Sequence, residues 1–312
     1  MKTVEKLPSF FIIGAPKCGT TALYVWLSEH PNIYMSPVKE PHFLAEDLPE
    51  KRRNIVDYRA YLNLFSKARA EHLAVGEGST SYISSPAAIR NIKTRFPEAR
   101  LVALVRNPID MAYAAHNQLL TSMNEDVADF EEAWRLQEKR RQGERIPKKC
   151  LNPKGLLYGD KARVGAQLQG VLEEIPRELL RINFFDDLVT NPGAVYRAVL
   201  EHLSVLDDKR RDFPIVNESK RLRSRALGSV LRTASAVGRP VKRWLQSTFG
   251  VEPPHMITAI SRLNRERYSR PPLREGFRLE LMEYFREDVT LLSQITGRDL
   301  SHWLNIPNGK ES

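Results

Sequence analysis

Cysteine is nearly absent from this 312-residue chain, which has only Cys18 and Cys150. Two thiols are too few for a disulfide framework or a zinc site, and they fit a reducing compartment. Long apolar runs are missing as well. No stretch approaches the roughly 18 to 20 apolar residues of a membrane span, and the opening MKTVEKLPSFFIIGA is too short and too soon broken by glycine for a cleavable secretion signal. These absences predict a cytoplasmic protein. There is no His/Cys/carboxylate cluster at metal-ligand spacing, no internal repeat and no low-complexity linker. Asp186 and Asp187 read as caps of the element that follows them rather than as metal ligands.

Acidic residues are missing from one long segment. Residues 219–251 contain Lys220, Arg221, Arg223, Arg225, Arg232, Arg239, Lys242 and Arg243 and no Asp or Glu, so eight of the ten excess positive charges lie there. The rest of the chain is close to balance, which argues against a general nucleic-acid-binding surface. The same segment carries Leu222, Leu227, Leu231, Trp244 and Leu245. Two readings stand: an amphipathic lid that meets an anionic acceptor or an anionic membrane surface, or an ordinary helix packed on a sheet.

What is present is enough apolar residue, 42%, for a real core, read as a single domain over residues 1–312. Residues 10–14 form a short apolar run predicted to be a buried strand, followed by a helix over 20–30 that ends before Pro31. LVALV at 101–105 is a second strand, unbroken in apolar residues as a parallel strand covered on both faces requires. Helices are predicted at 109–120, 162–174 and 192–203, with a strand at 180–185. Residues 122–155 read as a charged helical insertion, and the chain from 256 onward as two helices finishing at Gly297. Strands alternating with helices imply a parallel sheet with right-handed crossovers.

The most specific feature lies between the first strand and its helix: Gly14-Ala15-Pro16-Lys17-Cys18-Gly19-Thr20-Thr21. Small residues there let backbone N–H groups converge on a phosphate, the helix N-terminus adds partial positive charge, and the threonine hydroxyls donate further. In a nucleotide triphosphatase loop the lysine follows the second glycine. Here Thr20 follows Gly19, and Lys17 precedes it by two positions, so the usual lysine and Mg²⁺ arrangement is not met.

With its flanks, Phe11 to Leu23, this loop resembles the 5'-phosphosulfate-binding loop of sulfotransferases that use 3'-phosphoadenosine-5'-phosphosulfate (PAPS). Further blocks follow in that family's order: Val38-Lys39-Glu40-Pro41-His42-Phe43, Gly76-Glu77-Gly78-Ser79, Leu104-Val105-Arg106-Asn107-Pro108, Phe185-Asp186-Asp187-Leu188 and Gly297-Arg298-Asp299-Leu300. The resemblance runs from Phe10 to Trp303 and is strongest to the bacterial branch related to Golgi glycan and heparan sulfotransferases. It implies an α/β fold of the P-loop NTPase type, three layers about a central parallel sheet. It also implies PAPS as co-substrate without a metal, and an acceptor that the sequence does not name.

Residue by residue, the resemblance implies that Pro16, Lys17, Cys18, Gly19, Thr20 and Thr21 hold the phosphosulfate and that Arg106 holds the 3'-phosphate. The family's serine eight positions after that arginine is Ala114 here. A basic loop closing the nucleotide site has its nearest equivalent in Arg265 to Arg270, without the family's glycine. Glu40 matches the general base, with partial burial expected to raise its pKa, and Lys17 supports the leaving group. Lys39 and His42 flank Glu40 and either orients it, or His42 is itself the base. Glu77 is a second candidate carboxylate or a turn-stabilising residue, and His116 is assigned no role. The alternatives are a nucleotide kinase or hydrolase with an atypical phosphate loop, and a non-catalytic nucleotide-binding protein.

Overall fold

The computed structural model describes residues 6–214, 216, 220–224, 227, 264–268 and 270–305. Most of the basic segment 219–251 lies outside the described residues. The chain forms two compact units, one from Met1–Ala115, Leu157–Asn217 and Leu273–Ser312, the other from His116–Leu156 and Glu218–Pro272.

The first unit is built on a five-stranded sheet in the order β2-β3-β1-β4-β5. Its strands are β1 (Phe10–Gly14), β2 (Ile33–Met35), β3 (Ala74–Gly78), β4 (Arg100–Val105) and β5 (Leu180–Phe184), and every pairing is parallel. β1 is buried at all five positions and β4 at all but Arg100, which explains their unbroken apolar sequences. β3 pairs with β1 at Phe10↔Gly76, where glycine is required: a Cβ on Gly76 would lie 2.4 Å from the Phe10 ring. This two-sided burial is the layered α/β arrangement expected of the P-loop type.

Each crossover has a local sequence cause. α1 (Thr20–Ser28) follows β1, α2 (Tyr58–Asn63) is capped by Asp57, and α3 (Pro86–Arg95) has Pro86 in its first turn and Ser85 accepting from the Ala88 amide. α4 (Pro108–Thr121) opens after β4, with Asn107 accepting from the Ile109 amide at 3.0 Å.

The helix expected over 162–174 is α8 (Val164–Leu172), and a separate short helix, α7 (Tyr158–Ala162), precedes it across Arg163. α8 is capped from a distance: Asp288 accepts from the amides of Gly165 and Ala166 at 3.0 and 2.8 Å. Phe185 belongs to α9 (Phe185–Thr190) rather than to β5, and α10 (Pro192–His202) is capped by Asn191. Of the two C-terminal helices expected, the described residues contain one, α11 (Glu275–Thr296), closed by left-handed Gly297.

In the second unit the charged insertion is helical only in short pieces, α5 (Phe130–Arg135), α6 (Gln137–Arg141) and a 3₁₀ turn at Pro153–Leu156. Glu125 and Arg140 form a fully buried two-pronged ion pair at 2.8 Å. β6 (Lys220–Leu222) pairs antiparallel with β7 (Arg265–Arg267), so part of the basic stretch 265–270 is a strand, not a closing loop alone. No helix among the described residues is long and apolar enough to cross a membrane.

Candidate active site

The loop after β1 runs directly into α1. Lys17 takes a left-handed backbone at φ 68°, and Gly19 does so at φ 86° as the residue before the helix. Gly19 offers no side-chain cap, so the first-turn amides of α1 lack a side-chain acceptor. A helix N-terminus without a side-chain cap suits an anion, since its leading N–H groups and the helix dipole both favour negative charge. A side chain at Gly19 is disfavoured by the left-handed backbone, and its Cβ would lie 2.3 Å from the Leu188 side chain. Thr20 is buried and Thr21 half-buried in the first turn. Burial pushes the Cys18 thiol up to about 12, against the opposing pull of Arg106 and Lys17, so this sulfur is not a nucleophile at neutral pH.

Arg106 reaches the same loop from the carboxyl end of β4. Its Nη1 donates to the Lys17 carbonyl at 3.3 Å, and its guanidinium lies 4.3 Å from the centre of the Phe185 ring. Pairing with Asp110 is long, 3.8 Å, and Asp110 is half-exposed, so that contact contributes little. Ala114 is buried, 4% exposed.

Glu40 comes from the segment after β2. Its amide donates to the Gly78 carbonyl at 2.9 Å, hanging it on the carboxyl end of β3. Both Glu40 and His42 have left-handed backbones, φ 59° and 53°, a local strain that non-glycine residues keep only where the surroundings enforce it. Three groups hold the carboxylate: Lys39 Nζ at 3.1 Å and Thr80 Oγ1 at 2.9 Å on Oε1, His42 Nε2 at 3.3 Å on Oε2.

Here the structure corrects an expectation. Burial does push the Glu40 carboxyl up, but the hydrogen bond from His42 and the charge of Lys39 outweigh it and hold the group well below the usual carboxylate range. His42 itself is 3% exposed, its Nδ1 is enclosed without a hydrogen-bond partner, and its amide donates to Ser79 Oγ at 3.1 Å.

Glu77 lies behind this layer, fully buried on β3. Tyr61, Tyr82 and Ser79 hydroxyls donate to it at 3.0, 2.8 and 2.7 Å. Burial pushes its carboxyl up to about 7 in spite of those donors, and the nearby Glu40 charge adds to the rise. The same hydroxyls tie it to the Glu40 segment, since Tyr82 Oη also accepts from the Leu44 amide at 3.2 Å. Glu77 is thus the buried anchor of the segment that presents Glu40.

Two readings from sequence go elsewhere. Asp186 and Asp187 do not cap α9, which has no side-chain cap. Instead Asp187 takes Arg298 in a two-pronged pair, with 2.9 Å for Nη2–Oδ1, and Asp186 accepts from Trp303 Nε1 at 3.0 Å. Their pull is toward residues over a hundred positions away, which no local pattern encodes. His116 Nε2 bonds the Val127 carbonyl at 2.9 Å within the second unit. Among the described residues no group of three or more potential ligands could hold a metal ion. Thr80 and Tyr61 escaped sequence reading. Thr80 adjoins the Gly-Glu-Gly-Ser block and was findable, whereas Tyr61 has no motif around it.

A glycine-threonine loop on a helix N-terminus, with a lysine in it and a held carboxylate on the same edge of a parallel sheet, belongs to an α/β fold of the P-loop type. The sequence model of the sulfotransferase family matches residues 8–208. A crystal structure of a sulfotransferase from Alicyclobacillus acidocaldarius superposes with a TM-score of 0.70 at 26% identity, covering 96% of this chain and all of that one.

Mouse carbohydrate sulfotransferase 15 is 30% identical over 166 residues, 40% of this chain and 29% of the relative. Human bifunctional heparan sulfate N-deacetylase/N-sulfotransferase 2 is 31% identical over 116 residues, 36% of this chain and 13% of the relative. The chain therefore spans under a third of the length of these curated relatives. It belongs to the sulfotransferase family.

Proposed function

We propose that the chain transfers a sulfuryl group from PAPS to a hydroxyl or amine of an acceptor. The observation that carries the reading is the placement of Glu40. The carboxylate is fixed by Thr80, Lys39 and His42 at the carboxyl end of β3, the strand beside the one whose loop presents Lys17.

In this reading Pro16 to Thr21 receive the phosphosulfate on backbone amides and threonine hydroxyls, and Arg106 grips the 3'-phosphate with its planar fork. Glu40 accepts the acceptor's proton as the acceptor oxygen or nitrogen bonds to sulfur. Lys17 neutralises the charge that returns to the phosphate oxygen as the sulfur–oxygen bond breaks, which preorganised charge does well. PAPS supplies the activated sulfuryl group; the chain supplies position, proton acceptor and positive charge. His42 orients Glu40, its buried ring reaching the carboxylate through Nε2 alone.

The two units serve one catalytic domain, a view supported by the family match, which runs through residues of both. A cytoplasmic site of action rests on the low cysteine count, two in 312 residues. For the segment 219–251, most of which lies outside the described residues, we keep a partner role, receiving an anionic acceptor or touching an anionic membrane surface, on its charge and apolar residues.

The test is incubation with radiolabelled PAPS and an extract of the source cells, then isolation of the labelled product. Label should enter one product class, and adenosine 3',5'-bisphosphate (PAP) should block it. Absence of label transfer together with absence of PAP binding would remove the assignment.

A further inference from the structure

Phe184 and Phe185 stand at the junction of β5 and α9, and each ring carries an arginine. The Arg298 guanidinium lies over Phe184, 4.2 Å from its ring centre, and that of Arg106 lies over Phe185 at 4.3 Å. The chain turns from strand to helix between the two residues, so the rings face different partners. One serves the C-terminal block. The other serves the loop after β1.

Phe185 meets that loop twice. Its face carries Arg106, whose Nη1 donates to the Lys17 carbonyl at 3.3 Å. Its edge lies against Gly19, where a Cβ would come within 3.2 and 3.5 Å of two ring carbons. A single half-buried ring therefore touches both the loop assigned to the phosphosulfate and the side chain assigned to the 3'-phosphate.

The ring is itself held in place. Next to it Asp186 accepts from Trp303 Nε1 at 3.0 Å, and Asp187 holds Arg298 in a two-pronged pair. The Trp303 carbonyl in turn accepts from Asn107 Nδ2 at 3.2 Å, and Asn107 follows Arg106 in the chain. The backbones on both sides of the Arg106–Phe185 contact are thus tied to one tryptophan, and the contact closes the circuit.

The Arg106 side chain is 16% exposed, so the ring meets a largely desolvated cation, the setting in which such contacts are strongest. The guanidinium uses its flat face on the ring, and the N–H donors around its edge remain for an anion. Asp110, at 3.8 Å, stands beyond hydrogen-bond length. An arginine already laid on a ring loses less rotamer freedom when it takes hold of a phosphate than a free one does.

We propose that Phe185 is the positioning residue for Arg106, setting its guanidinium at a fixed offset from the phosphosulfate loop so that the two ends of the donor are received together. The assignment rests on the reading of Arg106 as the group that grips the 3'-phosphate.

The experiment is a double-mutant cycle read by calorimetric titration of the intact chain with PAP. Phe185→Met, which keeps the bulk and removes the ring, raises the dissociation constant about five- to tenfold. Phe185→Tyr, which keeps the ring, stays within about twofold of wild type. In an Arg106→Gln background Phe185→Met adds less than about twofold, because a residue that acts through Arg106 has nothing left to position. Unchanged PAP affinity in Phe185→Met overturns the assignment. So does an equal loss with and without Arg106, which is the result for a ring that only packs the loop or touches the nucleotide itself. Phe185→Leu runs the same cycle if the methionine variant misfolds, as unfolding midpoints show. Wild-type protein that binds no PAP overturns the sulfuryl-transfer reading instead, and no variant is needed to see it.

Discussion

Glu40 and Glu77 share one electrostatic neighbourhood and lie at opposite ends of the carboxylate range. Glu40 is held well below its usual value and Glu77 is pushed up to about 7. The difference follows from partners: Glu40 has a lysine and a histidine against it, whereas Glu77 has only neutral hydroxyls and complete burial. The outer carboxylate is ionised at any neutral pH. The inner one titrates there.

Removal of the Glu40 proton acceptor is the first prediction. Glu40→Gln should lower kcat by about 10² to 10⁴, the range for loss of a general base, with PAP affinity nearly unchanged by calorimetry. An unaffected rate moves the proton acceptor to His42 or Glu77. Because Glu40 is held low, acidification from about pH 8 to about pH 6 should not cost activity through its protonation; a kcat/KM profile checks this.

Glu77 makes stability depend on pH. Its carboxyl binds a proton more tightly folded than unfolded, so its contribution is full below the ordinary value of 4.5 and is lost as pH rises through about 7. The total is about 3 kcal/mol, since each pKa unit is about 1.4 kcal/mol. Glu40 has the opposite sign, stabilising above its unfolded value and ceasing to do so only in acid. Urea unfolding of wild type and Glu77→Gln should show the wild-type advantage shrinking from about pH 5 to about pH 7.5. A constant difference would mean that Glu77 stays ionised throughout.

Arg106→Lys tests whether a fork is needed. The guanidinium donates to the Lys17 carbonyl while lying over Phe185, and an ammonium keeps the charge but not the planar geometry. PAP affinity should fall by about 1 to 3 kcal/mol, the scale of a charge-assisted contact. Full retention by the lysine variant would leave Arg106 as a loop brace only.

Much of this was readable beforehand because the deciding signals are local. β1 and β4 announce themselves as FFII and LVALV, and the loop 14–21 needs its small residues and its lysine within eight positions. The strands β2 and β3 were not anticipated: β2 is three residues long, and β3 reads AVGEG, with glycines that serve close packing and a glutamate satisfied only by distant hydroxyls. The fall in the Glu40 pKa was misjudged for a related reason. Sequence shows that Lys39 and His42 are neighbours, but only left-handed turns at residues 40 and 42 aim them at one carboxylate.

The C-terminal block separates packing from surface charge. Trp303 is 3% exposed, meets Phe184 edge-on at 6.1 Å and donates to Asp186, and its carbonyl accepts from Asn107 at 3.2 Å beside Arg106. Trp303→Ala should cost about 3 to 5 kcal/mol of stability through the cavity it leaves. The Arg298–Asp187 pair has side chains 37% and 42% exposed, so Asp187→Asn should cost no more than about 1 kcal/mol and less at high salt. Thermal unfolding of the two variants at low and high salt distinguishes the cases. A tryptophan variant as stable as wild type would show that residues 298–304 are dispensable to the sheet, and that Asn107 positions α4 without them.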